Sequence, residues 1–204
     1  MRDSIDTGSV VGVASTDRAQ LDEHRDLQLL QAVIRRDRAA FDELYRRYYS
    51  KLMEFLSRMV VRRDVAEEIV NDAMYVVWTG GSSFAGRSKV STWIFGIAYK
   101  KALKRLERDG YTVNESIEEQ PETFFEPEFD RELDAMQMKR EIDAALTRLS
   151  PAHRSVVELT YLLDYSYPEI AEIVGCPVNT VKTRMFHARA QLRRLLGAVK
   201  ARFA

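Results

Sequence analysis

The sequence has 204 residues and one cysteine, Cys176. No disulfide can form within the chain, and no thiolate metal cluster can be assembled. Histidine is almost as scarce: His24, His153 and His187 stand in separate segments, and no His, Cys and carboxylate group has metal-ligand spacing. No glycine-rich phosphate loop occurs. These absences remove the common catalytic constellations, so the chain reads as a non-enzyme that needs no metal or cofactor. Five prolines and nine glycines leave long stretches with neither, which favours helix. No apolar run approaches the roughly 18 residues of a membrane span. The N-terminus carries acids and lacks the apolar core of a signal peptide. Membrane insertion is not expected, and a reducing cytoplasm is.

Net charge is zero, but the charges are segregated. Residues 85–108 hold seven basic side chains (Arg87, Lys89, Lys100, Lys101, Lys104, Arg105, Arg108) against Glu107 alone. Residues 178–204 hold seven more and no acid, whereas residues 111–135 hold nine acids and one base, Arg131. Ionic screening confines each field to about 8–10 Å, so two basic blocks separated by an acidic one can each bind phosphate.

Hydrophobic periodicity predicts an all-α chain of two small helical domains joined by a flexible acidic linker, the second containing a helix-turn-helix. Residues 1–24 are polar and read as a disordered extension. The first domain, residues 25–108, has apolar faces built on Leu27, Leu30, Val33 and Ile34, on Leu44, Leu52 and Leu56, on Val65, Ile69 and Val77, and on Ile94, Ile97 and Leu103. Asp64 with Glu67 three positions on has the form of an N-cap and capping box. Residues 109–132, with Gly110, Pro121 and Pro127, are too polar and interrupted to fold alone. In the second domain, residues 133–204, Ser150-Pro151 starts a helix with Ser as cap and Pro in the first turn. Val156, Val157, Leu159, Leu162 and Leu163 form its apolar side.

The most informative run is YPEIAEIVGCPVNTVKTRMFHARAQLRRLL, residues 167–196. A short helix ends at Gly175, the usual left-handed terminator. After Cys176-Pro177 a second helix begins, with Val181, Met185, Ala188 and Leu192 facing inward. Two helices joined by so short a glycine-containing turn make a helix-turn-helix. The outer side presents Asn179, Thr180, Lys182, Thr183, Arg184, Phe186, His187 and Arg189. Asn and Arg can pair bidentately with adenine and guanine edges, and the first residues of a recognition helix reach the bases. Arg193, Arg194 and Lys200 lie farther along and suit phosphates. A merely solvated basic face is disfavoured because turn, spacing and acid-free surface coincide.

The run LSPAHRSVVELTYLLDYSYPEIAEIVGCPVNTVKTRMFHARAQL resembles region 4 of extracytoplasmic-function (ECF) sigma factors, which reads the promoter −35 element. Residues 41–78, FDELYRRYYSKLMEFLSRMVVRRDVAEEIVNDAMYVVW, resemble region 2.1 to 2.2 of that family. There Asp64, Glu67, Glu68, Asn71, Asp72 and Tyr75 fall three and four apart and share an exposed face. The resemblance implies that this face, with Met74 and Trp78 nearby, docks on the polymerase β′ subunit; a solvated acidic face is the plain alternative. Residues 84–109, FAGRSKVSTWIFGIAYKKALKRLERD, resemble regions 2.3 and 2.4, which melt and read the −10 element. That implies a −10 role for Phe84, Arg87, Lys89, Trp93, Tyr99, Lys100, Lys101, Lys104 and Arg105. Aromatic stacking on unpaired bases is worth about 1–3 kcal/mol each, although Trp93 sits at a core period. The resemblance further implies that the second domain binds the β subunit and that an anti-sigma factor holds the domains compactly together. The partners are therefore core RNA polymerase (β′ and β), promoter DNA and an anti-sigma factor. Two other readings are an autonomous helix-turn-helix regulator and a sigma-like mimic that titrates an anti-sigma factor.

Overall fold

The computed structural model describes the backbone of residues 8–60, 62–110 and 131–200, and the side chains of residues 20–60, 62–110 and 138–196. Among the described residues every regular element is helical: α1 (Gly8–Ile34), α2 (Arg38–Met59), α3 (Arg63–Gly80), a 3-10 turn (Gly81–Ser83), α4 (Val90–Arg108), α5 (Arg131–Thr147), α6 (Pro151–Tyr161), α7 (Tyr167–Val174) and α8 (Val178–Lys200). The linker expected at 109–132 lies almost wholly outside the described residues, as do residues 1–7.

Helices α1 to α4 form the first unit around Leu30, Val33, Leu44, Leu52, Leu56, Val70, Val77, Ile94 and Ala98, all fully buried. Burying each of the larger aliphatic side chains stabilises the fold by roughly 1.5–3 kcal/mol. α2 starts where Asp37 accepts from the Ala40 amide at 3.1 Å, satisfying one free N–H of its first turn. α3 starts two residues earlier than an N-cap at Asp64 predicts. Its cap is Arg62, without a side-chain bond, and Asp64 lies in the first turn, accepting from Arg62 Nε at 3.1 Å. An acid there still suits the helix dipole.

The N-terminal expectation needs a larger correction, because residues 8–24 belong to α1 rather than to a disordered extension. Polar partners order its described end. Asp22 and Asp26 each pair with Arg47, at 2.9 and 2.7 Å. Asp26, nearly buried, also accepts from Tyr48 Oη at 2.5 Å. Arg25 pairs with Glu43 at 2.7 Å. Apolar periodicity does not register a helix held by ion pairs across α2.

In the second unit α6 is capped by Ser150, which accepts from the His153 amide at 3.3 Å. α7 has a capping box, Glu169 accepting from the Ser166 amide at 2.8 Å, and ends at Gly175 with φ 69°. Val156, Leu159, Ile170, Ile173, Val181 and Ala188 are fully buried.

The two units pack on each other, α4 against α7 and α2 against α6, and their buried residues form one continuous cluster. Gly96 lets α7 approach: a Cβ there would lie 3.7 Å from both the Cα and the carbonyl oxygen of Ile173. Beside it, Phe95 meets the Tyr165 ring edge-on at 5.4 Å. Arg58 reaches Asp143 at 3.4 Å, and Lys89 reaches Glu169 at 2.6 Å.

Candidate nucleic-acid interface

The outer face of α3 forms as its spacing implies. Asp64, Glu67, Glu68, Asn71 and Asp72 are exposed, and Tyr75 is 66% exposed. Tyr45 Oη donates to Asn71 at 2.7 Å and Tyr49 Oη to Glu67 at 3.2 Å, so two rings of α2 brace the face from behind. Hydrogen bonding to Arg62 holds the Asp64 carboxyl below its ordinary range, with the guanidinium charge adding to the effect. Met74 is different. It is 1% exposed, because it follows Val70 by one turn and precedes Val77 by three residues on the core side. It supports the face from below and does not belong to its surface. Trp78 is half-buried, 5.2 Å from the Phe41 ring. Arg36 lies over its ring and donates to its carbonyl at 2.8 Å.

α3 lies alongside α4, and this brings the acidic face against the cationic one. Lys101 pairs with Asp72 at 3.0 Å and Arg105 with Glu68 at 2.8 Å; Arg105 also pairs with Asp109 at 3.0 Å. Lys101 and Arg105 are thus partly neutralised where they stand, while Arg87, Lys100 and Lys104 are exposed. Phe84 and Trp93 are half-buried with rings 5.4 Å apart; they pack on the core and leave an edge to solvent. Between them the loop turns through Gly86, φ 66°.

Tyr99 lies inside the packed arrangement. It is 2% exposed, and burial raises its phenol pKa. Its electrostatic and hydrogen-bonding neighbours are Ser155, Arg184 and Cys176 of the second unit. It cannot stack on a base while the units are packed together. Lys89, bound to Glu169, is likewise engaged by the second unit.

Glu23 is an unforeseen member of this site. Its carboxylate accepts from the Val90 amide at 3.0 Å, covering the N-terminus of α4. Burial lifts its pKa above the ordinary range, with that amide opposing.

The helix-turn-helix forms as expected. The Cys176 amide donates to the Ala171 carbonyl at 3.1 Å and the Thr180 amide to the Pro177 carbonyl at 2.9 Å, closing the turn. Val181, Met185 and Ala188 are buried, and Leu192 packs against the core. Asn179, Lys182, Thr183, His187 and Arg189 are exposed; Phe186 is 70% exposed. Thr180 and Arg184 are half-buried, and Arg184 donates to Cys176 Sγ at 3.7 Å. Arg189 is held by a residue that sequence reasoning missed. Its Nε donates to Tyr161 Oη at 3.0 Å, and its guanidinium lies over that ring at 5.6 Å. Among the described residues no group of three or more His, Cys, Asp or Glu is placed to hold a metal, and no helix is long and apolar enough to cross a membrane.

Fold and surfaces together define a helix-turn-helix protein in which a second helical unit carries a cationic aromatic surface beside an acidic face. Residues 44–111 match the family model Sigma-70 region 2, and residues 139–192 match Sigma-70, region 4. The ECF RNA polymerase sigma factor RpoE of Cereibacter sphaeroides is 32% identical over 78% of this chain and 87% of its own. The ECF RNA polymerase sigma factor SigM of Mycobacterium tuberculosis is 33% identical over 86% of each. The chain belongs to the ECF sigma factors, which direct RNA polymerase to promoters. Among solved structures, the sigma factor RpoE in complex with the anti-sigma factor NepR from Bartonella quintana is similar, with a TM-score of 0.55 and 26% identity over 77% of this chain and 96% of that one. CnrH in complex with the cytosolic domain of CnrY shares the fold, with a TM-score of 0.64 and 22% identity over 85% and 98% of the two chains.

Proposed function

We propose that this chain binds core RNA polymerase through the exposed face of α3 and directs it to promoters through two DNA-reading surfaces. Asp64, Glu67, Glu68, Asn71, Asp72 and Tyr75 dock on the β′ subunit, with Met74 and Trp78 shaping the face from beneath. Phe84, Trp93 and the cations Arg87, Lys100 and Lys104 engage the opened −10 strand, joined by Lys89, Tyr99, Lys101 and Arg105 when their intramolecular partners let go. Asn179, Thr180, Lys182, Thr183, Arg184, Phe186, His187 and Arg189 meet the −35 duplex. The second unit also contacts the β subunit. The polymerase supplies the catalysis; this chain contributes binding alone, works in the cytoplasm and uses no cofactor. The observation that carries this reading is the coexistence, in one chain, of an exposed acidic face on α3 and an acid-free, exposed recognition helix.

Engaging the −10 strand with Tyr99 and Lys89 requires the packed arrangement to open, since packing buries the first and pairs the second with Glu169. An anti-sigma factor that favours the packed form would therefore hold the chain inactive. Run-off transcription with core polymerase across a promoter library tests the reading. Promoter-specific transcripts that depend on the added chain are expected. Tight duplex binding without polymerase would instead mark an autonomous regulator, and binding to an anti-sigma factor with no transcription under any condition would mark a mimic.

A further inference from the structure

The interface between the two units contains an acid that its surroundings do not balance. Glu158 stands on α6, the helix that packs against α2. It is 1% exposed, and neither carboxylate oxygen has a hydrogen-bond partner among the described residues. The charges bearing on it come from three helices: Arg154 one turn back on α6, Arg58 and Glu54 on α2, and Asp143 on α5. Arg154 is the natural partner, yet it points elsewhere. Its Nε donates to the Leu146 carbonyl at 2.7 Å, and its Nη1 donates across the boundary to the Arg58 carbonyl. Arg58 in turn is directed at Asp143, 3.4 Å away, and Glu54, 3.6 Å away. The cations close the interface without reaching the acid.

We propose that Glu158 is a proton-operated latch between the two units: the neutral acid lets α6 lie against α2, and its ionisation drives them apart. A carboxylate without donors is costly to keep dry, and water completes its shell once α6 leaves α2. Burial raises the carboxyl to about 8 in the packed form, against an ordinary 4.5, with Arg154 and Arg58 opposing only in part. Because the packed form holds the proton more tightly, packing is favoured fully below the ordinary Glu range. The advantage is lost as pH rises through about 8. Within that window the open-to-packed ratio grows by up to about tenfold per pH unit for one proton. The latch acts on the closure that buries Tyr99 and binds Lys89, and it stands whether or not the polymerase-docking assignment is right.

The opposite possibility is that Glu158 is an ionised structural partner of Arg154. Glu158→Gln separates the two, since it keeps the shape and abolishes the charge. Small-angle scattering of the full chain between pH 6 and 9 at fixed ionic strength would follow opening as an increase in radius of gyration. The latch predicts that the wild type expands with pH and that Glu158→Gln stays compact throughout. A flat wild-type profile overturns it. So does a Glu158→Gln chain that is expanded at every pH, or one that retains the wild-type profile. His153 and His187 are kept in Glu158→Gln, so a pH response that survives there does not come from Glu158. If Glu158→Gln fails to fold by circular dichroism, the carboxyl ¹³C signal of Glu158 in the wild type decides. A midpoint well above the ordinary Glu range, shared by the amide signals of Gly96 and Ile173 on either side of the interface, supports the latch. A midpoint in the ordinary range overturns it.

Discussion

Gly96 offers a direct test of the packed arrangement, because two substitutions there should act in opposite directions. In the interior of α4 an alanine is favoured over glycine by about 0.8–1.0 kcal/mol. Its Cβ would sit 3.7 Å from the Ile173 Cα and carbonyl oxygen and 4.0 Å from the Glu172 carbonyl oxygen, ordinary van der Waals distances. Gly96→Ala is therefore expected to keep the units packed and to raise stability by nearly the full propensity difference. For a domain of about 150–250 residues that is roughly 2–4 °C in Tm. Leucine at the same place carries three further carbons towards α7 backbone, which cannot swing aside as a side chain can. Overpacking typically costs about 1–3 kcal/mol, here borne by the interface between the units. Gly96→Leu should leave the first unit folded but enlarge the radius of gyration and expose Tyr99 and Phe95. Calorimetry and small-angle scattering on the two variants measure both quantities. The reasoning fails if Gly96→Ala expands the chain, or if Gly96→Leu remains as compact as the wild type.

Three further outcomes are expected. Tyr48→Phe removes the hydroxyl donor to the nearly buried Asp26; a lost bond to a charged group costs about 1.5–3 kcal/mol, read as a lower denaturation midpoint and faster amide exchange in α1. Gly175→Ala forces an L-residue into φ 69° and should cost about 1–2 kcal/mol, seen as increased hydrogen exchange in α7 and the start of α8. Replacing Arg184 and Arg189 together by Ala should abolish promoter-specific transcription while leaving core-polymerase binding by pull-down unchanged; transcription that survives refutes the assignment of α8 to −35 readout.

What the sequence settled alone is what depends on neighbours within a turn or two. The α7–turn–α8 motif was legible because Gly175 and the spacing of Val181, Met185 and Ala188 are local signals. The solvent-facing acids of α3 were legible for the same reason, since a period of 3.6 decides which side chains share a face. The same periodicity, applied to α6, places Leu162 among the apolar positions and leaves Glu158 unremarked. In the folded chain Leu162 is 43% exposed and Glu158 is buried, because α2 of the other unit covers that side. Tyr99, Lys89 and Arg105 had their partners chosen the same way: Ser155 and Arg184, Glu169, and Glu68 are all far away in sequence. The order in α1, held by Asp22, Asp26 and Arg25 against α2, carries no apolar signature either. Local propensity and periodicity are short-ranged and written in consecutive residues. Which charged group meets which, and which acid loses its water, is set only when helices distant in the chain come into contact.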